Sequence, residues 1–237
     1  MAGTLFFCPE ILKSPILPEQ ESQHCVKVLR SREGDTLTVT DGKGFIYDCE
    51  LMQAHPKRCL LAIRQRSEVK NNRAFSLHVA FAPSKQMDRN EWFVEKATEI
   101  GVDKITPLLC KHSERKEIKD ERLHKITVAA MKQSMQAYLP ETEKMTRFND
   151  FVSLPFPGRK FIAHCHDLPK QSLAHTYRKG ENALVLIGPE GDFSQEEVKR
   201  AIELGFEPVS IGDTRLRSET ASLISMHIIH VINNIQQ

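Results

Sequence analysis

Two polar segments near the C-terminal end each follow a short apolar run and precede a helical pattern. Gly188–Phe193 follows the run Ala183–Ile187, and Ile211–Ala221 follows the run Pro208–Ile211. Open parallel sheets bind ligands at the carboxyl ends of their strands, where such turns lie. The sequence therefore predicts a ligand site at one edge of an α/β sheet.

The first segment is rich in glycine but matches neither common nucleotide-binding fingerprint. It lacks G-x-G-x-x-G, and no Gly-Lys-Ser/Thr is present to form a Walker loop. Gly188 and Gly191 permit a close approach of the backbone to a ligand or a positive φ. Taken alone, such a turn is more often a plain connection than a binding loop.

The second segment is more specific, because Arg215 and Arg217 precede Glu219 directly before an apolar helix. One interpretation is helix capping by Ser218 or Thr220, with Glu219 complementing the helix dipole. Capping does not explain both arginines, and we therefore favour a ligand-binding role.

A third polar segment, His164-Cys165-His166-Asp167, ends another short strand pattern, Phe161–His164. Alternation along a strand places His164 and His166 on one face and Cys165 on the other. Because no further ligand pair has matching spacing, we expect no metal here. We expect this strand end to form a third wall of the site.

The charge of the chain is concentrated locally, since the net charge is only +2 over 237 residues. Residues 57–73 carry six basic side chains against one acid, Glu68, which suits a polyanion such as RNA or, alternatively, a solvated strand edge. No window predicts a membrane span, residues 1–9 do not resemble a secretory signal, and the six cysteines are dispersed. We therefore expect a cytoplasmic protein with reduced thiols.

Residues 1–70 predict a small β-rich domain. Strand patterns occur at 4–8, 35–40, 45–51 and 57–66, and turn residues 41–44 join the middle two as a hairpin. A short helix is predicted over 22–30 with Ser22 as its cap. The pattern indicates a small barrel.

From residue 71 onward, strand and helix patterns alternate, which predicts a parallel sheet covered on both faces. The predicted strands are 75–82, 104–110, 161–164, 183–187 and 209–211, and the predicted helices are 88–100, 123–138, 194–204 and 221–235. Gly101 is expected to end the first helix, and Ser194 with Glu197 to form a capping box.

The two C-terminal segments together resemble the paired signature of the RsmE family, bacterial methyltransferases that modify N3 of a uridine in 16S rRNA. The resemblance extends over nearly the whole chain. Its other blocks are Leu5-Phe6-Phe7, His24-x-x-x-Val28-Leu29-Arg30, Gly34-Asp35, the block 95–102 and Gln133-Ser134.

The resemblance implies a SPOUT domain with a C-terminal trefoil knot over 71–237 and a PUA-like RNA-binding barrel over 1–70. It also implies a homodimer, a 16S rRNA substrate in the small ribosomal subunit, and S-adenosylmethionine as cofactor. Arg217 would stabilise charge on the uracil oxygens, and Glu219 would orient that arginine or accept a proton. The implied RNA-binding residues are Arg30, Arg64, Arg66 and Arg73. The implied cofactor-binding residues are His164, Ile187, Gly188, Pro189, Glu190, Gly191, Ile211, Gly212, Leu216, Thr220 and Ala221.

The chain departs from the family pattern at three positions. Asp192 stands where the family usually has glycine. Lys132 precedes Gln133-Ser134, where the family commonly has Glu, and Gln136 lies two residues beyond Ser134, after which the family commonly has Arg. Two alternatives remain open: a SPOUT ribose 2′-O-methyltransferase, and a non-catalytic RNA-binding factor of ribosome assembly.

Overall fold

The computed structural model describes residues 4–71 and 73–235 and divides the chain into two compact units. The first unit comprises residues 1–72 and Val128–Leu139, and the second comprises Arg73–Thr127 and residues 140–237. The boundary expected near residue 71 falls beside Asn72, which lies outside the described residues. The functional division into an RNA-binding and a catalytic domain stays a prediction.

The first unit contains a four-stranded sheet in the order β1-β2-β3-β4, with β1 parallel to β2 and the other pairs antiparallel. The strand patterns and the β2–β3 hairpin are confirmed, whereas closure into a barrel stays a prediction. The strands are β1 (Leu5–Phe7), β2 (Thr36–Thr40), β3 (Phe45–Gln53) and β4 (Leu60–Glu68).

The helix of this unit begins earlier than the sequence predicted. Helix α1 (Glu19–Gln23) continues into one π-helical stretch, His24–Val28. Ser22 is therefore not a cap, and it lies buried within the helix. Its hydroxyl donates to Leu17 O at 3.0 Å and accepts from Cys59 N at 2.9 Å, so it joins α1 to the start of β4.

Val128–Leu139 belongs to the first unit because it pairs with the turn of the hairpin. Gly44 N donates to Ala137 O at 2.9 Å, and Leu139 N donates to Gly42 O at 2.9 Å. Lys132 also forms a 2.6 Å ion pair with the largely buried Glu21, which gives the departure at position 132 a partner within its own unit.

The second unit is built on an eight-stranded parallel sheet, in the order β10-β12-β9-β11-β5-β6-β7 with β8 beside β6. Its strands are β5 (Leu77–Phe81), β6 (Lys104–Leu109), β7 (Glu141–Thr142), β8 (Thr146–Arg147), β9 (Arg159–Ala163), β10 (Gln171–Ser172), β11 (Ala183–Ile187) and β12 (Glu207–Ser210). The helices of this unit are α2 (Met87–Ile100), α4 (Phe148–Val152), α5 (Leu173–Thr176), α6 (Gln195–Glu203) and α7 (Ser218–Asn234). Helix α3 (Asp120–Gln133) begins in this unit, and its residues from Val128 onward belong to the first unit.

Both faces of this sheet are covered, as the sequence predicted. Alternate residues of β5 enter two separate apolar clusters, Val79 in one and Ala80 in the other. The first cluster includes residues of α2 and α7, and the second includes residues of α4 and α6. The mixed α/β class with a parallel sheet is therefore confirmed.

The predicted helix ends are correct for the end of α2 and the start of α6, but not for either end of α3 or for the start of α7. Gly101 ends α2 with φ of 104°, and Ser194 with Glu197 forms the predicted capping box of α6. Helix α3 ends at Gln133 rather than residue 138, because Met135 adopts a left-handed conformation with φ of 56°. Helix α7 starts at Ser218 rather than at residue 221.

Candidate active site

Three neighbouring strands end at the same edge of the sheet and bring the predicted loops together. Ala163 pairs with Ile187 of β11 and with Val209 of β12. The segments that follow these strands therefore start side by side. They are the histidine segment after β9, the glycine-rich turn after β11 and the arginine segment after β12.

These three segments line a cavity of about 730 Å³, a size typical of small-molecule sites. Arg217 and nine of the eleven expected cofactor-binding residues line it. Those nine are His164, Ile187, Gly188, Pro189, Glu190, Ile211, Gly212, Leu216 and Ala221. Gly191, Thr220 and Glu219 are not among the lining residues. Cofactor binding by these residues stays a prediction.

The glycine-rich turn is held in place by its own buried end. Phe193 is fully buried, and a Cβ added to Gly188 would lie 3.0 Å from Phe193 N. Asp192 N donates to Pro189 O at 2.9 Å, and Asp192 has φ of 64°. Gly191 faces the ring of His112 instead of the cavity, since an added Cβ would lie 3.2 Å from His112 Cβ.

Two hydrogen bonds join the arginine segment to this turn. Ser218 Oγ donates to Gly188 O at 2.8 Å, and Arg215 donates to Glu190 O at 3.3 Å. The interpretation of Ser218 or Thr220 as the cap of α7 is wrong, because the N-cap position is Arg217 and no side chain caps it. The Ser218 hydroxyl is bonded to the cavity-lining turn instead of to the helix end.

Arg217 is exposed at the cavity, directly before α7. Within residues 4–71 and 73–235, no hydrogen bond or ion pair engages its guanidinium. A guanidinium with no intramolecular partner is available to an anionic or oxygen-rich ligand.

Glu219 is largely buried in the first turn of α7, where its charge is favoured by the helix dipole. Its observed ion pair is with Arg89 of α2, whose Nε lies 3.7 Å from Glu219 Oε1. The sequence did not single out Arg89, because its proximity depends on the packing of α2 against α7.

His164 is buried against the cavity, and neither of its ring nitrogens has a hydrogen-bond partner in the part of the chain described here. Burial lowers the pKa of His164, and the charge of Lys170 lowers it further, against an opposing effect of Asp192. The imidazole is therefore neutral near pH 7 and presents one donor and one acceptor. Buried polar atoms are rarely left unpaired, so these two nitrogens are available to a ligand.

The other residues of the histidine segment make different contacts. His166 Nε2 lies 2.6 Å from Phe193 O, and Cys165 N donates to Asp192 Oδ2 at 2.7 Å. Among the described residues, no three His, Cys, Asp or Glu side chains are grouped so that they could hold a metal ion.

The four arginines expected to bind RNA are placed differently from one another. Arg30 is exposed, with a left-handed φ of 57°. Arg64 forms a two-pronged ion pair with Glu50, at 2.9 and 2.6 Å, and Arg66 stacks 3.7 Å from the centre of the Phe45 ring.

Arg73 belongs to the second unit, and its contacts there favour a structural role. Its guanidinium donates to Gly101 O and to Asp103, where the nitrogen–oxygen distance is 2.5 Å. These contacts join the entry of β5 to the turn before β6.

Comparison with known proteins identifies the family to which this site belongs. A family model described as an RNA methyltransferase domain matches residues 70–230, and one described as an RNA methyltransferase PUA domain matches residues 17–64. The chain belongs to this RNA methyltransferase family. One relative, the ribosomal RNA small subunit methyltransferase E of Bacillus subtilis, is 28% identical over 225 residues, which are 89% of this chain and 87% of the relative.

Solved structures of family members match the whole fold. The crystal structure of a probable rRNA-methyltransferase from Porphyromonas gingivalis is 38% identical, with a TM-score of 0.91 over 97% of this chain and 98% of that one. A ribosomal RNA small subunit methyltransferase E from Neisseria gonorrhoeae, bound to S-adenosyl methionine, is 25% identical, with a TM-score of 0.85 over 97% and 98% of the two chains. The resemblance to the RsmE family is thereby confirmed.

No helix among the described residues combines the length and the apolar character needed to cross a bilayer.

Proposed function

We propose that this protein transfers a methyl group from S-adenosylmethionine to N3 of a uridine in 16S rRNA of the small ribosomal subunit. The observation that carries the proposal is one cavity that combines the buried His164 imidazole with the Arg217 guanidinium, neither of which has a partner among the described residues. Family membership and the printed names of the relatives support rRNA of the small subunit as the substrate.

The residues present fit S-adenosylmethionine. Ile187, Ile211 and Leu216 offer an apolar wall for the adenine ring, and the backbone of both loops offers hydrogen-bonding groups. The two His164 ring nitrogens, which no described residue pairs, match a ligand with polar groups that both donate and accept. When bound, S-adenosylmethionine supplies an electrophilic methyl group on a sulfonium sulfur.

The reaction requires positioning and charge stabilisation by the chain. The uracil N3 must lie in line with the transferred methyl group, and its proton must leave. Arg217 stabilises the negative charge that develops on the uracil oxygens, because its guanidinium lies at the cavity and no described residue competes for it.

Glu219 influences this reaction indirectly, without lining the cavity. It lies outside the cavity lining, largely buried, with Arg89 as its ion-pair partner. This arrangement favours an orienting role for Glu219, through the start of α7, over direct acceptance of the N3 proton.

The first unit is proposed to bind RNA as a PUA-like barrel, supported by the PUA family match over residues 17–64. Arg30 is exposed, with a left-handed backbone, and is available to a phosphate. Arg64 and Arg66 remain part of the proposal, whereas the intramolecular contacts of Arg73 argue against its inclusion.

The proposal also includes a SPOUT trefoil knot at the cavity and a homodimer that acts in the cytoplasm. Leu223 and Ile224 of α7 are half-buried and offer apolar surface for a second copy, whereas Ile229 is fully buried in the core. Sedimentation of the purified chain tests the dimer.

Mass mapping of methylated RNA tests the proposed reaction. Small ribosomal subunits lacking the modification are incubated with the protein and S-adenosylmethionine, and the digested nucleosides are identified by mass spectrometry. We expect one 3-methyluridine per subunit. A 2′-O-methylated nucleoside would support a ribose methyltransferase instead. No transfer, together with no heat of S-adenosylmethionine binding at millimolar concentration, would support a non-catalytic assembly factor.

A further inference from the structure

Asp192 connects two walls of the cavity through its side chain. Its Oδ2 accepts a hydrogen bond from Cys165 N at 2.7 Å, and its Oδ1 accepts one from Phe193 N at 2.8 Å. Cys165 lies in the segment after β9, whereas Phe193 ends the turn after β11. One carboxylate thus holds two separate chain segments, and hydrogen bonds to a charged acceptor are among the stronger ones.

The backbone at Asp192 would accept glycine more easily than aspartate. Its φ of 64° lies in the left-handed region, which is unfavourable for a residue with a Cβ. The side chain is also largely withdrawn from solvent, with 14% of it exposed. Aspartate is unfavourable for this backbone conformation, yet both of its carboxylate oxygens accept hydrogen bonds. This combination indicates that the carboxylate is required here.

The hydrogen bond from Cys165 N to Asp192 also holds His164, because this nitrogen belongs to the peptide bond between His164 and Cys165. His164 is 6% exposed and lines the cavity, and both of its ring nitrogens lack partners among the described residues. His166, on the other side of Cys165, is fixed to Phe193 O at 2.6 Å. The segment is therefore held at two successive residues, Cys165 and His166. His164 directly precedes them, and its imidazole lies at the cavity.

We infer that Asp192 is a positioning residue for cofactor binding, which acts through His164. The inference rests on the proposed function, in which the cavity holds S-adenosylmethionine. The Asp192 carboxylate fixes the start of the segment after β9. The neutral imidazole is thus already in place for hydroxyl or amino groups of the bound nucleoside, and binding does not have to order the loop.

A double-mutant cycle tests the inference by calorimetry with S-adenosylmethionine. Loss of the hydrogen bonding that the neutral His164 imidazole offers the ligand corresponds to about tenfold in affinity. Because Asp192 is inferred to act by placing that imidazole, we expect Asp192→Gly and His164→Ala each to raise Kd about tenfold. If Asp192 acts through His164, the double variant binds only about tenfold more weakly than wild type, rather than about a hundredfold. Asp150→Asn, which removes an exposed charge in the first turn of α4, serves as the control and should retain the wild-type Kd.

Two outcomes would overturn the inference alone. The first is an unchanged Kd in Asp192→Gly, and the second is a hundredfold loss in the double variant, which would mean that Asp192 and His164 act independently. Absence of binding by wild type and Asp150→Asn would instead overturn the proposed function and this inference with it.

Hydrogen exchange of the ligand-free protein gives a second measurement that does not depend on the cofactor. We expect the Cys165 amide to be protected in wild type and to exchange at least about tenfold faster in Asp192→Gly. Asp192→Asn retains one acceptor oxygen and should restore part of the protection. Equal exchange in wild type and Asp192→Gly would show that the carboxylate does not hold this segment.

Discussion

Replacing Gly188 with alanine tests the proposition that the turn after β11 is packed too tightly for a side chain. An added Cβ would lie 3.0 Å from Phe193 N, 3.1 Å from Phe193 Cδ2 and 3.3 Å from Asp192 C. Phe193 is fully buried, so its ring and backbone have little room to move. Overpacking of this kind costs about 1–3 kcal/mol.

Gly212→Ala is a matched control for this substitution. Gly212 also lines the cavity, but an added Cβ would have no neighbouring atom within 4 Å, and neither glycine has a positive φ. Any glycine-to-alanine change reduces the entropy of the unfolded chain, which stabilises the protein by about 0.4–1 kcal/mol when the native site accepts it. Because this effect is common to both variants, their difference isolates the packing cost.

Urea unfolding followed by the fluorescence of Trp92 provides the assay. Trp92 is the single tryptophan of the chain and lies in α2, within the same unit as both glycines. We expect the free energy of unfolding of Gly188→Ala to be about 1–3 kcal/mol lower than that of Gly212→Ala. Equal stabilities would refute the argument that Phe193 and Asp192 confine the turn.

Three further predictions concern the reaction, the buried serine and the response to acid. Arg217→Ala should lower kcat by about a hundredfold or more while leaving the Kd for S-adenosylmethionine largely unchanged, and survival of turnover would remove its electrostatic role. Ser218→Ala should destabilise the protein by about 1–3 kcal/mol in urea, because the bond to Gly188 O is buried, whereas the exposed Ser153→Ala should stay within about 0.5 kcal/mol. Burial lowers the pKa of His78 to about 3, so the unfolded chain binds more protons and stability falls as the pH drops below about 6.5. The stability of wild type relative to His78→Gln should therefore fall by about 1.4 kcal/mol between pH 7.5 and pH 5.5, and a constant difference would contradict a neutral buried imidazole.

The sequence predicted those elements whose signals are local. The apolar run of β11, the glycine after α2 and the capping box of α6 each depend on a few adjacent residues, and each was found. The two-residue strands β7, β8 and β10 were missed, because two residues carry no periodicity. Ser22 was misread as a cap because its hydroxyl bonds to Leu17 and Cys59, and the second of these lies 37 residues away.

The candidate site was predictable at the level of segments and less so at the level of side chains. Parallel strands that end at one edge bring their loops together, and this general rule located the segments. The partners of individual side chains follow from packing. Glu219 faces Arg89 of another helix, and Asp192 holds Cys165, which lies 27 residues earlier. The sequence could flag Asp192 only as an unusual residue.

The pairing of Val128–Leu139 with the hairpin turn has a consequence for the order in which the chain folds during synthesis. The N-terminal compact unit is discontinuous, because Arg73–Thr127 is made before its last segment emerges. At about 5–20 residues per second, the first part of that unit waits roughly 3–13 s for its final contacts. Until then, Gly42 O and Gly44 N lack the hydrogen-bond partners that Leu139 and Ala137 supply, so the hairpin turn of the nascent chain has unpaired backbone groups.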